Sequence, residues 1–218
     1  MKLLITLFVF IMVRAEAQDF EGTIKWSVKT ETADPTVEKM ESKITMKMKN
    51  GNASLMIIGG PMAGMEALYI KNQTYSIDRA KKTFSVPLSI SDAMGGESPK
   101  PVITKTSETK KILDYNCIKY ISKVTAFSLT ATTHYWIAAD LKSIDFNIIS
   151  KMTGDEDSPP EIIKEGFPLM IETTTATSDG KTTTVQGKSM MQVLSIKKEL
   201  LNATDFSIPS DFKEAKQD

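Results

Sequence analysis

Alternation of apolar and polar residues runs through most of this chain, and no other feature restricts its fold as much. In "FEGTIKWSVKT", Phe20, Ile24, Trp26 and Val28 fall on one side of an extended strand, with Glu21, Thr23, Lys25, Ser27 and Lys29 on the other. In "MESKITMKMK", Met40, Ile44, Met46 and Met48 alternate with Glu41, Lys43, Thr45, Lys47 and Lys49, and the turn pair Asn50-Gly51 follows. A side-chain period of two with one wet face marks an antiparallel strand. The Asn-Gly pair predicts a hairpin into "ASLMII", where Leu55, Met56, Ile57 and Ile58 read as a buried strand.

Segments of the same kind recur from "ALYIKN" to "KTTTVQGKSMMQVLSIKKEL", separated by turn formers such as Lys71-Asn72, Asp114 to Asn116 and Ser178-Asp179-Gly180. The pattern predicts roughly ten strands in a hairpin-connected meander. Two segments break the period. In "DLKSIDFNIISKM", Leu141, Ile144, Ile148 and Met152 recur at helical spacing after Asp140, which predicts a helix over 141–152 capped by that aspartate. In "SPPEIIKEG", Ser158 and Glu161 stand at capping-box spacing with Pro159 at the first helical position and Gly166 at the exit, predicting a second helix over 159–165. The acidic "GDEDS" between them and "SDAMGGESPKP", residues 91–101, read as loops.

The N-terminus carries Lys2, an apolar run from Leu3 to Val13, and the small-x-small triplet Ala15-Glu16-Ala17. This is the layout of a secretory signal peptide cut before Gln18, so that residues 1–17 are removed and 18–218 form a single domain. The run ends at Arg14, short of the about 20 apolar residues that cross a bilayer, and no later segment approaches that length. The expected product is an exported protein, periplasmic or secreted, with no transmembrane segment after signal removal. Its one cysteine, Cys117, excludes an intramolecular disulfide, so the fold must rest on an apolar core. Removing Lys2, Arg14 and Glu16 from 27 basic and 27 acidic residues leaves 25 and 26, a net charge of −1. Nucleic-acid binding needs a gathered basic excess, and the lysines here are spread along the chain.

Five stretches carry a family resemblance: "FEGTIKWS", "SETKKILDYNCIKYI", "YWIAADL", "EGFPLMIE" and "DFSIPSDFK". In this order they resemble an exported family of Gram-negative bacteria known only as a domain of unknown function, which is related to the periplasmic lipoprotein-carrier proteins. The resemblance implies a mainly β (α+β) fold: a strongly curved antiparallel sheet, an unclosed half-barrel, with the two helices on its concave side. It also implies an apolar ligand held inside the sheet, an acyl chain, lipid or lipoprotein moiety. It carries no catalytic residues. A fold shared is not a function shared, and an open curved sheet also offers edges and a concave face to a protein partner.

Catalytic chemistry finds little support in the residues. The single histidine, His134, and the single cysteine, Cys117, each sit in an alternating strand, where packing explains them better than a nucleophile pair does. No zinc spacing, phosphate loop or nucleophile elbow occurs, so no metal or other cofactor is expected. The apolar residues suggest a binding site instead. "IIGGPMAGMEALYI" places three glycines and two methionines between two strands, and Met62 and Met65 read either as an adaptable lid or as a cap on the rim of the core. Thirteen methionines against nine phenylalanines favour a deformable interior. The candidate cavity and lid residues are Trp26, Met46, Met48, Met56, Met62, Met65, Ile144, Ile148, Met170 and Met190. Intact-mass measurement on protein recovered from the exported fraction of its native host should give a chain starting at Gln18, and a product that keeps Arg14 would remove the cleavage assignment.

Overall fold

A computed structural model of the chain describes residues 20–34, 39–87, 99–153, 160–178 and 182–215. The expected signal peptide, the "GDEDS" loop and most of the 91–101 loop lie outside the described residues. Twelve strands form one sheet. The first meander comprises β1 (Gly22–Thr32), β2 (Met40–Lys49), β3 (Asn52–Ile58), β4 (Glu66–Ile70), β5 (Gln73–Asp78) and the short β6 (Thr83–Ser85). The second comprises β7 (Val102–Ile112), β8 (Tyr115–Ala126), β9 (Leu129–Ala138), β10 (Phe167–Ser178) and β11 (Thr183–Lys198). A last pair of residues, β12 (Lys213–Glu214), lies parallel to β6, and the other pairings are antiparallel. The order across the sheet is β12-β6-β5-β4-β3-β2-β1-β11-β10-β9-β8-β7, so the two meanders join where β1 pairs with β11. Asn50-Gly51 and Lys71-Asn72 turn two of the hairpins with positive φ at both residues, as tight two-residue turns require.

The register follows the alternation. Trp26 and Met46 are 1% and 0% exposed, while Lys25 between core residues is exposed. Directly opposed residues share a face, so the row Val28, Met191, Ile171, Tyr135, Tyr120 carries the face of Trp26 across five strands. The same rule corrects the reading of β3. Leu55 and Ile57 are buried, but Met56 and Ile58 are 43% and 56% exposed, because four consecutive apolar residues in a strand cannot all point to one face.

The segment after β9 covers this inner face. A 3-10 turn (Ala139–Leu141) leads into α1 (Phe146–Thr153), a later start than the periodicity predicts. Asp140 lies inside that turn, and it is Asp145 Oδ1 that accepts from the Asn147 backbone N–H at 2.9 Å and fixes the entry to α1. The predicted stripe is nonetheless buried at Leu141, Ile144, Ile148 and Met152. Phe146 packs against Phe167 and Phe167 against Trp26, with ring centroids 5.9 and 6.3 Å apart. The second helix, α2 (Pro160–Ile163), is a single turn rather than residues 159–165, and its Ile162 packs on Tyr120, Tyr135 and Ile137. Gly166 ends it at φ 151°, where a Cβ would meet the Ala138 carbonyl oxygen at 2.3 Å.

These contacts require curvature. The 3-10 turn touches β8 and β10, and α1 touches β4, where Lys151 Nζ donates to the Tyr69 hydroxyl at 3.2 Å. In a flat sheet β4 and β8 would lie roughly 34 Å apart at about 4.8 Å per strand, far more than an eight-residue helix of about 12 Å can bridge. The sheet therefore curls around the covering segment without closing: β7 ends it on one side and the β12-β6 pair on the other. Among the described residues no helix is long and apolar enough to cross a membrane.

Trp26 is central to this core, and its indole N–H finds no hydrogen-bond partner among the described residues. Replacing Trp26 by Ala should cost about 3–5 kcal/mol in a denaturant titration, whereas Trp26→Phe, which also removes the unpaired donor, should cost far less.

Candidate functional site

The inner face has two ends of different character. At the end covered by α1, Trp26, Met46, Met48, Ile144 and Ile148 are buried together in one cluster. Ile144 and Ile148 of the covering segment share this cluster with the three strand residues, so all five are part of the core. Met170 is also buried, with Lys110 Nζ 3.7 Å from its sulfur. Met56 points away from the core for the parity reason given above. Met190 stands directly opposite Lys29 and Glu172, in a row on the face opposite Trp26.

At the other end, among the described residues, the inner face carries a cavity. Val28, Thr30, Met40, Ser42, Ile44, Ile57, Pro61 and Met62 line a cavity of about 150 Å³. Its wall is almost wholly aliphatic, because successive inward positions of β1, β2 and β3 converge there. Val28, Met40, Ile44, Ile171 and Met191 are only half-buried, so apolar surface continues from this cavity across the neighbouring strands.

The stretch 59–65 forms one wall, and its glycines permit the backbone of a tight turn. Gly59, Gly60 and Gly64 all have positive φ, at 79°, 67° and 83°. At Gly60 a Cβ would lie 2.3 Å from Ser42 Oγ. The turn is held by Gly64 N–H donating to the Ile57 carbonyl at 2.9 Å, Ile57 N–H to the Met65 carbonyl at 3.0 Å, and the Ser42 hydroxyl to the Gly59 carbonyl at 3.0 Å. Its two methionines part company. Met65 is half-buried and packs on the main core, and Met62 is 51% exposed at the cavity mouth.

Cys117 and His134 are not brought together. Cys117 faces Ala138, and His134 lies four residues further along β9, about 13 Å away at roughly 3.3 Å per residue. Burial pushes the Cys117 thiol up to about 11, which keeps it protonated at neutral pH. His134 instead lines a cleft of about 380 Å³ on the face opposite Trp26, with Lys29, Glu31, Glu172, Lys188 and Met190. There Glu172 Oε2 accepts from the Trp136 indole N–H at 3.1 Å, and Lys110 and Lys119 stand over the Trp136 ring at 5.4 and 5.7 Å.

A larger cleft, about 550 Å³, lies where the C-terminal residues 204–211 cross the same outer face over β2 to β5. Glu66 is 8% exposed in its floor and accepts from Arg79 Nε and Nη2, both at 2.5 Å. Lys47 Nζ donates to Asp205 Oδ1 at 2.8 Å at its margin. Sequence reading missed this cleft because its walls come from residues more than a hundred positions apart. Its one local signal is Glu66, an acid at the head of the otherwise apolar "EALYI".

No curated protein matches this chain. Solved structures similar to it include an uncharacterized conserved protein from Thermus thermophilus, at 9% identity over 90% of this chain and 91% of that one, with a TM-score of 0.46. A LolA superfamily protein from Nitrosomonas europaea is similar at 11% identity over 88% and 91%, TM-score 0.37. The Mycobacterium tuberculosis lipoprotein LppX is similar at 10% identity over 84% and 89%, TM-score 0.39. The family model described as Domain of unknown function (DUF4412) matches residues 14–212, and the chain belongs to that family.

Proposed function

We propose that this protein is an exported, non-enzymatic binder of an apolar ligand, an acyl chain or lipid, held on the inner face of a half-barrel at the end away from α1. One observation carries the reading: a cavity walled by Val28, Met40, Ile44, Ile57, Pro61 and Met62 opens beside the half-buried apolar residues Met191 and Ile171 on the same face. Small-molecule sites are concave and mostly apolar with few polar groups, and here Thr30 and Ser42 supply hydroxyls beside aliphatic walls. The cavity has room for the end of an acyl chain, and the apolar strip through Met191 and Ile171 would take the remainder. The site is therefore nearer the loop 59–65 and further from α1 than the methionine pattern suggests.

A protein-interaction module is the competing reading, through the free edge of β7. That edge carries Lys105, Lys110 and Lys111, the charged side chains that discourage strand addition, and a register irregularity between Lys105 and Thr109. The apolar cavity is the better supported of the two.

Titration with a fluorescent long-chain fatty acid tests the ligand reading. Met62→Ser should weaken binding by about 1–2 kcal/mol, roughly five- to thirtyfold, since a covering side chain loses about 25 cal/mol per Å². Its stability should move by no more than about 0.5 kcal/mol, as for other exposed positions. Met65→Ser should lower stability by more than Met62→Ser does, because Met65 packs on the core. Saturable binding that Met62→Ser leaves unchanged would place the ligand elsewhere, and no binding at all would return the inner face to a structural role.

A further inference from the structure

Six of the exposed large hydrophobic residues gather at the cavity end of the sheet: Ile58, Met62, Val102, Phe127, Leu129 and Val185. The ladders place them there. Phe127 sits in the two-residue turn closed by the Ala126–Leu129 pair, Val102 pairs with Lys123 near the end of β8, and Val185 pairs with Ala176 near the tip of the β10-β11 hairpin. The Ser178 N–H donates to the Ser128 carbonyl at 2.9 Å and ties the two hairpin ends together. Ile58 and Met62 stand across the sheet, at the end of β3 and in the turn that follows. α1 and the turn before it occupy the opposite end.

Phe127 is the most telling of the six. It is wholly solvent-exposed and has a φ of 54°, at a turn position that suits glycine or asparagine. A bulky residue there carries backbone strain, and within the monomer its ring gains no burial in return. On the β1-to-β3 part of this rim the charges are mixed, with Glu31 and Glu41 paired to Lys39 and Lys29 and Asp34 beside them, whereas on the β7-to-β11 part they have one sign. In residues 99–105, 121–133, 174–178 and 182–188 the charged side chains are Lys100, Lys105, Lys123 and Lys188, with no Asp or Glu among them. Lys105 is held by Glu165, and Lys188 faces Glu31 across the β1-β11 seam, while Lys100 and Lys123 are exposed beside the apolar tips.

We propose that this rim docks on the surface of an anionic phospholipid bilayer, with Phe127 and Leu129 inserted at the interface and the lysines among the headgroups. Apolar side chains spread over strand ends and two turns suit a planar, deformable surface rather than the groove of a single protein partner. Aromatic side chains flanked by lysine are the combination that binds such an interface. Docking in this orientation turns the mouth of the inner-face cavity toward the lipid, which is where an apolar ligand would enter or leave. The docking itself does not depend on the ligand reading.

Flotation with vesicles of equal parts phosphatidylcholine and phosphatidylglycerol tests the proposal on the mature chain. The wild-type protein should float with these vesicles, much less with phosphatidylcholine alone, and less as salt is raised. Phe127→Ser with Leu129→Ser should reduce the bound fraction by about tenfold while fatty-acid binding in solution persists. Phe127→Trp should shift its emission to the blue on adding the mixed vesicles. Phe127→Gly should bind vesicles poorly yet melt at a higher temperature than the wild type, because glycine relieves the positive φ, and a merely structural Phe127 would not separate these two readouts. The proposal is overturned if the wild type does not float, or if the serine variants float as well as the wild type. It is also overturned if the lipid-free protein sediments as a dimer that Phe127→Ser dissociates, since the rim would then be a contact between two copies of this chain. Loss of fatty-acid binding in a Met62 variant that still floats would count against the ligand site alone.

Discussion

The pairing of β1 with β11 holds this molecule together. It joins Gly22 to Lys198 at one end and Thr32 to Gly187 at the other, strands more than 150 residues apart in the chain, and it is the seam between two meanders that otherwise contact mainly their own neighbours. Trp26 and Val193, both 1% exposed, face each other across it. Without the seam the first meander would present Ile24, Trp26, Met46 and Leu55 to water, and the second would leave Leu169 and Val193 uncovered. A contact of such sequence separation is reached only after a large loss of chain entropy. The core it assembles must be large enough to offset that loss, which a chain without a disulfide can achieve only through packing.

The seam also explains why the two ends of the sheet differ. A curved sheet of this width has one inner face, and among the described residues the connection between β9 and β10 supplies the helix that packs on it. That connection leaves the sheet at Ala138 and returns at Phe167, so α1 and the aromatic trio Trp26, Phe146 and Phe167 close the end at which β9 finishes. At the opposite end the described connections are the 59–65 turn and the β8-β9 hairpin turn, neither long enough to reach across the concavity. The apolar cavity of the inner face and a rim of exposed apolar tips therefore share one geometric origin.

The strands were readable because burial on one face imposes a period that survives in the sequence: Trp26 and Met46 inside with Lys25 and Lys47 toward water follow from parity alone. The stripe Leu141, Ile144, Ile148 and Met152 was readable for the same reason, although α1 begins later, where Asp145 supplies the acceptor its first turn needs. Function was less accessible. Methionine content pointed to a soft interior, yet Met46 and Met48 are packed as core and Met56 faces outward, because side-chain chemistry does not reveal whether a neighbouring element occupies the space beside it. The three glycines of 59–64 supply the left-handed conformations of a hydrogen-bonded turn that rests on Ser42.

The sequence by itself determined which side of each strand is apolar, where the hairpins turn, and that a helix with one apolar stripe had to be buried between β9 and β10. These are local quantities, set by the two-residue and 3.6-residue repeats of the backbone. Only the tertiary structure decided which strands meet across the seam, how far the sheet curls, and which part of its inner face α1 covers. Those depend on distances between residues far apart in the chain, which no local repeat encodes. The same holds for Glu66 and Arg79 beneath the C-terminal segment and for Val28, Ile44 and Met62 around one cavity: each residue is ordinary where it stands, and the juxtaposition exists only once the two meanders have joined into one curved sheet.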